Sequence, residues 1–345
     1  MAAQAKKGRR NERSRRNGED FRMALWTWFE RHGRVLPWRE STDPYAVTVS
    51  EFMLQQTTVT AVIPYYRRWM EQWPTVESLA KATEHDVLLL WQGLGYYSRA
   101  RNLLATARLI VERHSGTFPA DPETLKTLPG FGAYTAGAVA AFAYDRPVVA
   151  IDANIARVLA RLANVHIPVG TGKGRGIVER WLQERLDENT GNSNGNNVIP
   201  PGGRAIISAL MDIGATICRS GVPRCDECPI RSFCTATNPA ELPIKPPRRE
   251  IVHLTEYRAL IIKNGRVALC PASGNGTRWH GLWVLPETKG RDADSILFTE
   301  KFAVTRHRIT MHVVKRHVQG CEQFFALEAL PPMPAAHLRT LDAIL

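Results

Sequence analysis

A chain of 345 residues, 44% hydrophobic and 23% charged, exceeds the size at which one hydrophobic core stops growing. Two domains are therefore expected, and a mainly disordered, collagen-like or coiled-coil protein is excluded. No apolar run nears the roughly eighteen residues of a membrane span, and no apolar core follows the basic N-terminal stretch as it would in a secretory signal, so a cytoplasmic protein is expected, nucleoid-associated if bacterial. The balance of 45 Lys+Arg against 33 Asp+Glu, a net charge of +12, points to a polyanionic partner.

Residues 1–20 read as a basic arm. Between Lys6 and Arg16, the basic residues Lys6, Lys7, Arg9, Arg10, Arg13, Arg15 and Arg16 face a single acid, Glu12, so half of the net charge sits in that stretch and the rest of the chain keeps +6. Such an arm is either a solvated disordered tail or a non-specific attractor of phosphate. From Phe21 onward apolar residues recur at helical spacing, beginning with Leu25, Trp28, Phe29 and His32. Residues 21–236 therefore read as all-α, interrupted at Arg34–Pro44, Trp73-Pro74, Ser115–Pro122 and Pro129–Gly132. The polar, Asn- and Gly-rich stretch from Asp187 to Gly203 reads as a surface loop. Residues 237–250, with Pro239, Pro243, Pro246 and Pro247, read as an extended linker. Beyond it, Leu254–Ile262, Arg266–Cys270, Trp283–Leu285 and Thr310–Lys315 are strand-like, and Ser295–Lys301 and Ala335–Leu345 are read as helical. A small α/β domain over 251–345 is expected to follow the helical one.

Within the helical part, Leu128-Pro129-Gly130-Phe131-Gly132-Ala133-Tyr134-Thr135-Ala136 reads as a tight hairpin opening onto a helix. Gly130 and Gly132 let the backbone turn, and free N–H groups at the helix start can face a phosphate oxygen. The same segment also serves as a plain helix–helix turn with no ligand. Asp152 precedes the helix Ala153–Leu162 and reads as its N-cap, a place that lowers a carboxyl pKa. Glu51 is the opposite case, a lone acid among Val47, Val49, Phe52, Met53 and Leu54, where desolvation raises the pKa. Two carboxyl groups pushed apart in pKa suit a reaction that protonates a leaving group while an oxocarbenium ion develops, as in glycosidic or N-glycosidic cleavage.

Four of the six cysteines, Cys218, Cys225, Cys228 and Cys234, fall within seventeen residues as C-x6-C-x2-C-x5-C. A disulfide framework is unexpected in such a chain. One CxxC flanked by single cysteines in one loop favours a [4Fe-4S] cluster over zinc or unligated thiols. Cys270 and Cys321 read as small buried hydrophobes.

These motifs, with Leu36-Pro37-Trp38-Arg39, Val49–Thr57 and Trp91–Asn102, resemble the MutY-type adenine DNA glycosylases of the helix-hairpin-helix glycosylase superfamily, from about Phe21 to the end. The resemblance implies that Glu51 protonates adenine, that Asp152 faces the deoxyribosyl cation, and that Tyr134 and Asn154 support that pair. It implies that Trp38 and Arg39 line the adenine pocket, that Gln55, Gln56, Thr57, Leu94 and Tyr96 serve the vacated stack and the opposing base, and that Gly130 and Gly132 meet the phosphate backbone. It further implies a [4Fe-4S] cluster on the four cysteines and a Nudix-like recognition domain lacking the metal-binding acids. In that domain Thr310 stands, within Ile309-Thr310-Met311, at a position that reads 8-oxoguanine, with His307 and His312 close by. Relatives usually carry Gln or Glu at the position of Ser208 and Gly at that of Ala153.

The implied activity is removal of adenine paired with 8-oxoguanine or guanine in duplex DNA, by a monomer without lyase chemistry, since a tyrosine replaces the lysine that an endonuclease III-like lyase needs. A thymine or other mismatch glycosylase and a non-catalytic DNA-binding protein are the alternatives.

Overall fold

The structure is a computed structural model that describes residues 20–187, 202–247, 250–272, 279–288, 296–315 and 323–345. The basic arm, most of the Asn- and Gly-rich loop, Ser295 and Cys321 lie outside the described residues. The chain forms two compact units, one from the residues up to Gln55 with Leu109–Pro246 and the other from Gln56–Arg108 with Pro247–Leu345. This division cuts across the helical segment 21–236. None of the described helices is long and apolar enough to cross a membrane.

In the first unit, helix α1 (20–32) is followed by α2 (Pro44–Leu54). Pro44 at the first helical position needs no hydrogen-bond partner for its nitrogen, and the Asp43 carboxylate accepts from the N–H groups of Tyr45 and Ala46. Every residue of α2 from Tyr45 to Met53 is buried, so Glu51 has no polar face to turn to. In the second unit lie α3 (Val59–Gln72), α4 (Val76–Ala80), α5 (Glu84–Trp91) and most of α6 (Ser98–His114). Trp69 and Trp91, both fully buried, meet edge to face at 5.5 Å.

Helices α7 (Pro122–Leu125), α8 (Ala133–Tyr144), α9 (Ala153–Leu162), α10 (Gly172–Asp187) and α11 (Gly203–Thr216) return to the first unit. The α8 interior, Thr135 to Ala141, is made of small residues and one valine, which lets α2 and α11 pack closely on it. A core of Phe21, Leu25, Ile155, Leu159, Leu182, Ile206, Leu210 and Ile213 joins α1 to α9, α10 and α11. The proline-rich segment read as an extended linker begins docked: Leu242 is buried and its carbonyl accepts from Arg161 Nε at 3.0 Å.

The C-terminal part holds β1 (Val252–Leu260), β2 (Ile262–Lys263), β3 (Arg266–Pro271), β4 (Trp283–Val284), β5 (Ile296–Val304), β6 (His307–Lys315), β7 (Gln323–Ala326) and α12 (Ala335–Ile344). One sheet has the order β1-β6-β5, β1 and β6 being parallel; in the other, β3 pairs antiparallel with β2, β4 and β7. The expected helix at Ser295–Lys301 is corrected here. From Ile296 the segment is strand β5, antiparallel to β6, with burial alternating residue by residue, the period of two that a strand imposes. On α12, burial pushes the pKa of His337 down to about 3, and its Nδ1 accepts from the Leu285 N–H at 3.2 Å, so it is a neutral core residue.

Candidate active site

Glu51, 3% exposed on α2, receives a 2.7 Å hydrogen bond from the Tyr134 hydroxyl at the first turn of α8. Burial pushes the Glu51 pKa up to about 7, and the charge of Asp152 adds to the rise. The hydrogen bond from Tyr134 and the cation of Arg39 pull it part of the way back. Tyr134 is held well above the ordinary tyrosine pKa, by burial and then by the two carboxylates, so it stays a hydrogen-bond donor.

Asp152 caps α9, as its position predicts: Oδ1 accepts from the Ile155 N–H at 2.6 Å, and Oδ2 from Asn154 Nδ2 at 3.1 Å. Its pKa corrects the expectation drawn from the helix start. Burial raises it above the usual carboxylate value, and the donors from Ile155 and Asn154, with the Arg157 charge, only offset that rise. Asn154 is fixed in turn by Arg157, whose Nη2 donates to Asn154 Oδ1 at 2.9 Å and whose Nε donates to the Cys218 carbonyl at 2.8 Å. A run of hydrogen bonds thus leads from Asp152 to the backbone of the first cysteine.

Trp38 and Arg39 close the 3-10 turn Pro37–Arg39, with Trp38 buried. Arg39 donates through Nη1 and Nη2 to both oxygens of Asp212 on α11, at 2.8 and 2.9 Å. Asp212 was not among the candidates drawn from the sequence, although it carries the signal that marks Glu51, a lone acid in an apolar helix beside Ile206, Ile207, Ala209, Leu210 and Ile213. Ser208 is buried one turn before it. Gln55 caps the C-terminal end of α2 and reaches Thr135 Oγ1 from Nε2 at 3.4 Å.

At the hairpin, Gly130 takes φ +78° and needs to be glycine. Gly132 does not: at φ −87° and ψ 176° it is extended backbone, and a Cβ there meets nothing within 4 Å. The sharp turn expected of both glycines therefore rests on the first. The second leaves open space before α8.

In the second unit, Gln56 and Tyr96 both adopt left-handed backbone, at φ +56° and +49°, a strain that non-glycine residues seldom carry. Thr57 Oγ1 accepts from Arg99 Nη2 at 3.3 Å. Tyr96 is 41% exposed beneath the Arg99 guanidinium, whereas Leu94 is 8% exposed. Of Leu94 and Tyr96, only the tyrosine is presented to solvent, and Gln56 is exposed as well. On β6, Ile309, Met311 and Val313 enter the core, so Thr310 and His312 share the opposite, half-exposed face and His307 points the other way. His312 Nδ1 lies 2.9 Å from Thr299 Oγ1, and its ring packs at 5.2 Å on Tyr257.

The four cysteines are half-buried free thiols. Burial pushes Cys228 up to about 11, and the other three sulfurs add to the rise. Arg161, buried, donates from Nη1 to Cys218 Sγ at 3.2 Å and to the Arg219 carbonyl at 2.8 Å, placing a cation against the thiolates that a cluster requires.

Residues 49–184 match the family model described as the HhH-GPD superfamily base excision DNA repair protein. The adenine DNA glycosylase of Rattus norvegicus is 41% identical over 225 residues, 63% of this chain and 41% of that protein. The chain thus spans about two-fifths of the mammalian relative's length. The adenine DNA glycosylase of Buchnera aphidicola subsp. Baizongia pistaciae is 32% identical over 271 residues, 77% of this chain and 73% of that protein. Among solved structures, a thermostable thymine-DNA glycosylase superposes with a TM-score of 0.52 at 25% identity, over 65% of this chain and 96% of its own. The helical fold agrees with these matches, and the chain belongs to the adenine DNA glycosylase family of the HhH-GPD superfamily.

Proposed function

We propose that the protein is a monofunctional base-excision glycosylase that hydrolyses the N-glycosidic bond of adenine paired with 8-oxoguanine or guanine in duplex DNA. The observation that carries this reading is Glu51, buried and protonated near neutrality beside Tyr134 and Asp152. Of the two acids, Asp152 has the backbone and amide donors that hold negative charge, so Glu51 holds the proton. The target adenine leaves the base stack for a pocket bordered by Trp38 and Arg39. Glu51 gives its proton to a ring nitrogen of adenine, the electrons of the glycosidic bond depart with the base, and Asp152 stabilises the positive sugar. Water adds its oxygen to the sugar carbon and loses a proton, leaving an abasic site. No lysine stands at the Tyr134 position, so no Schiff base forms there.

Residues 21–236 act as the glycosylase domain, and residues 251–345, joined through 237–250, recognise the opposing base through Thr310. Gln56, Thr57, Leu94 and Tyr96 serve the vacated stack and the base opposite, while the start of α8 after Gly132 receives a backbone phosphate. Cys218, Cys225, Cys228 and Cys234 would hold a [4Fe-4S] cluster, which when bound supplies iron–thiolate cross-links to the 218–234 loop. The enzyme works as a monomer on DNA.

Single-turnover assays on A·8-oxoguanine, A·G, T·G and thymine-glycol duplexes test the reading. Adenine is expected to be released from the first two, with strand breakage only after alkali. Glu51→Gln is expected to slow excision at least about a hundredfold while duplex binding survives. Near-normal excision by that variant, or release of thymine in preference to adenine, overturns the assignment.

A further inference from the structure

Asp212 is 0% exposed on α11 and accepts from two arginines at once. Arg34 donates its backbone N–H to Oδ2 at 2.8 Å and its Nε to Oδ1 at 2.7 Å, with Nη2 2.6 Å from Oδ1. Arg39 closes the other side through Nη1 and Nη2, and its Nη1 also donates to the Arg34 carbonyl at 3.0 Å. Burying a carboxylate is costly unless it is fully paired, and both oxygens here are used. The burial of so costly a group is unexplained by α11 itself, whose other buried residues are nearly all apolar. Its two partners converge from the short segment Arg34–Arg39, which ends at the 3-10 turn, and Arg39 is the cation whose charge acts on Glu51.

We propose that Asp212 is a positioning residue for the reacting acid: it clamps the Arg39 guanidinium in a planar two-point pair and withholds part of that positive charge from Glu51. The proposal rests on the reading of Glu51 as proton donor. A planar fork held on both oxygens of a buried carboxylate has few alternative positions, so the distance from the cation to Glu51 is set by α11 and not by solvent. The groups that act on the Glu51 carboxyl are Tyr134 on α8, which bonds it at 2.7 Å, and the charges of Asp152 at the start of α9 and of Arg39. Arg39, bonded to Asp212 at both oxygens and acting on Glu51 by its charge, is the path by which Asp212 acts. With Asp212 neutralised, the cluster passes from one net positive charge to two, and Arg39 turns to the carboxyl groups that remain.

The test follows the Glu51 proton in the full-length protein in two ways. One is the pH dependence of single-turnover adenine excision. The other is infrared titration of the protonated carboxyl band that disappears in Glu51→Gln, which reads that proton whatever its role. Asp212→Asn is expected to move both midpoints down by about one pH unit, so that excision at pH 8 falls about tenfold. Asp212→Asn with Arg39→Met is expected to return the midpoints to at least the wild-type value, since the unclamped cation is gone. Arg34→Met, at a partly exposed side chain, leaves Arg39 as the one cation on Asp212, with the residue-34 N–H still donating to Oδ2, and is expected to move the midpoints up. It decides the matter if Asp212→Asn does not fold. Midpoints that stay in place in a folded Asp212→Asn or in Arg34→Met overturn the proposal. Infrared shifts without any change in the excision profile would leave the clamp standing and overturn instead the role of Glu51.

Discussion

Glu51 is badly placed for stability. Its pKa stands near 7 in the folded protein against 4.5 when unperturbed, so folding favours the protonated form. The sign follows: this contribution is fully present below about pH 4.5 and is lost as pH rises through about 7. Above that pH the ionised side chain costs on the order of 3 kcal/mol. Glu51→Gln removes the penalty, so its Tm is expected to exceed that of the wild type at pH 8 and to match it near pH 4, as calorimetry at the two pH values can check. In the proposed reaction the same titration governs catalysis, because the acid must carry its proton, so excision is expected to fall as pH rises through 7. Tyr134→Phe removes a hydrogen bond that favours the ionised form. Its pH profile is therefore expected to move upward, and a downward move would show that Tyr134 does not donate to the carboxylate.

At the scale of elements, the two ends of the 128–136 hairpin separate folding from binding. Gly130→Ala puts a side chain on a left-handed backbone and is expected to cost about 1 kcal/mol of stability. Gly132→Ala meets no protein atom, so its Tm should be unchanged. If the start of α8 receives a phosphate, the added methyl group blocks that approach, and duplex affinity should fall for matched and mismatched DNA alike. Unchanged affinity would remove α8 from the DNA-binding surface.

Legibility also varies from element to element. Helix α9 can be read to the residue because its start depends on one local bond, that from Ile155 to Asp152. Glu51 can be read because a lone acid in an apolar helix is a local anomaly. Strand β5 cannot: Ser-Ile-Leu-Phe-Thr-Glu-Lys suits a short helix, and the pairing of Lys301 with Thr310 and Phe302 with Ile309 that decides otherwise is non-local. Asp212 shows the same limit, since its anomaly is visible in α11 but its partners lie more than 170 residues away.

For the whole molecule, the proposed function draws chemistry and recognition from different parts of the chain. Glu51, Tyr134, Asp152, Arg39 and Asp212 all belong to the first unit, while Thr310 belongs to the second. Within the second unit the helical and β-rich segments are bonded together. Tyr97 Oη donates to the Met333 carbonyl at 3.1 Å, the Met333 N–H donates to Gln92 Oε1 at 3.1 Å, and Arg101 donates to the His280 carbonyl at 2.7 and 2.6 Å. Removal of residues 251–345 would therefore strip the 92–101 segment of partners, and a loss of discrimination in such a truncation could come from that damage alone. A point change on β6 avoids the ambiguity. An 8-oxoguanine differs from guanine at C8 and at the protonated N7, so telling them apart requires a hydrogen bond to that edge. Thr310 offers a hydroxyl on the half-exposed sheet face, and of the neighbouring histidines only His312 shares that face. A hydrogen bond of this kind is worth roughly 0.5 to 3 kcal/mol, about two- to a hundredfold in discrimination. Thr310→Ala is expected to narrow the ratio of A·8-oxoguanine to A·G excision within that range while leaving the A·G rate unchanged, and His312→Ala in addition should narrow it further. His307→Ala, on the opposite face, should not alter the ratio. Equal ratios in the wild type and the Thr310→Ala, His312→Ala double variant, measured at the same salt, would exclude this face of β6 from reading the opposing base.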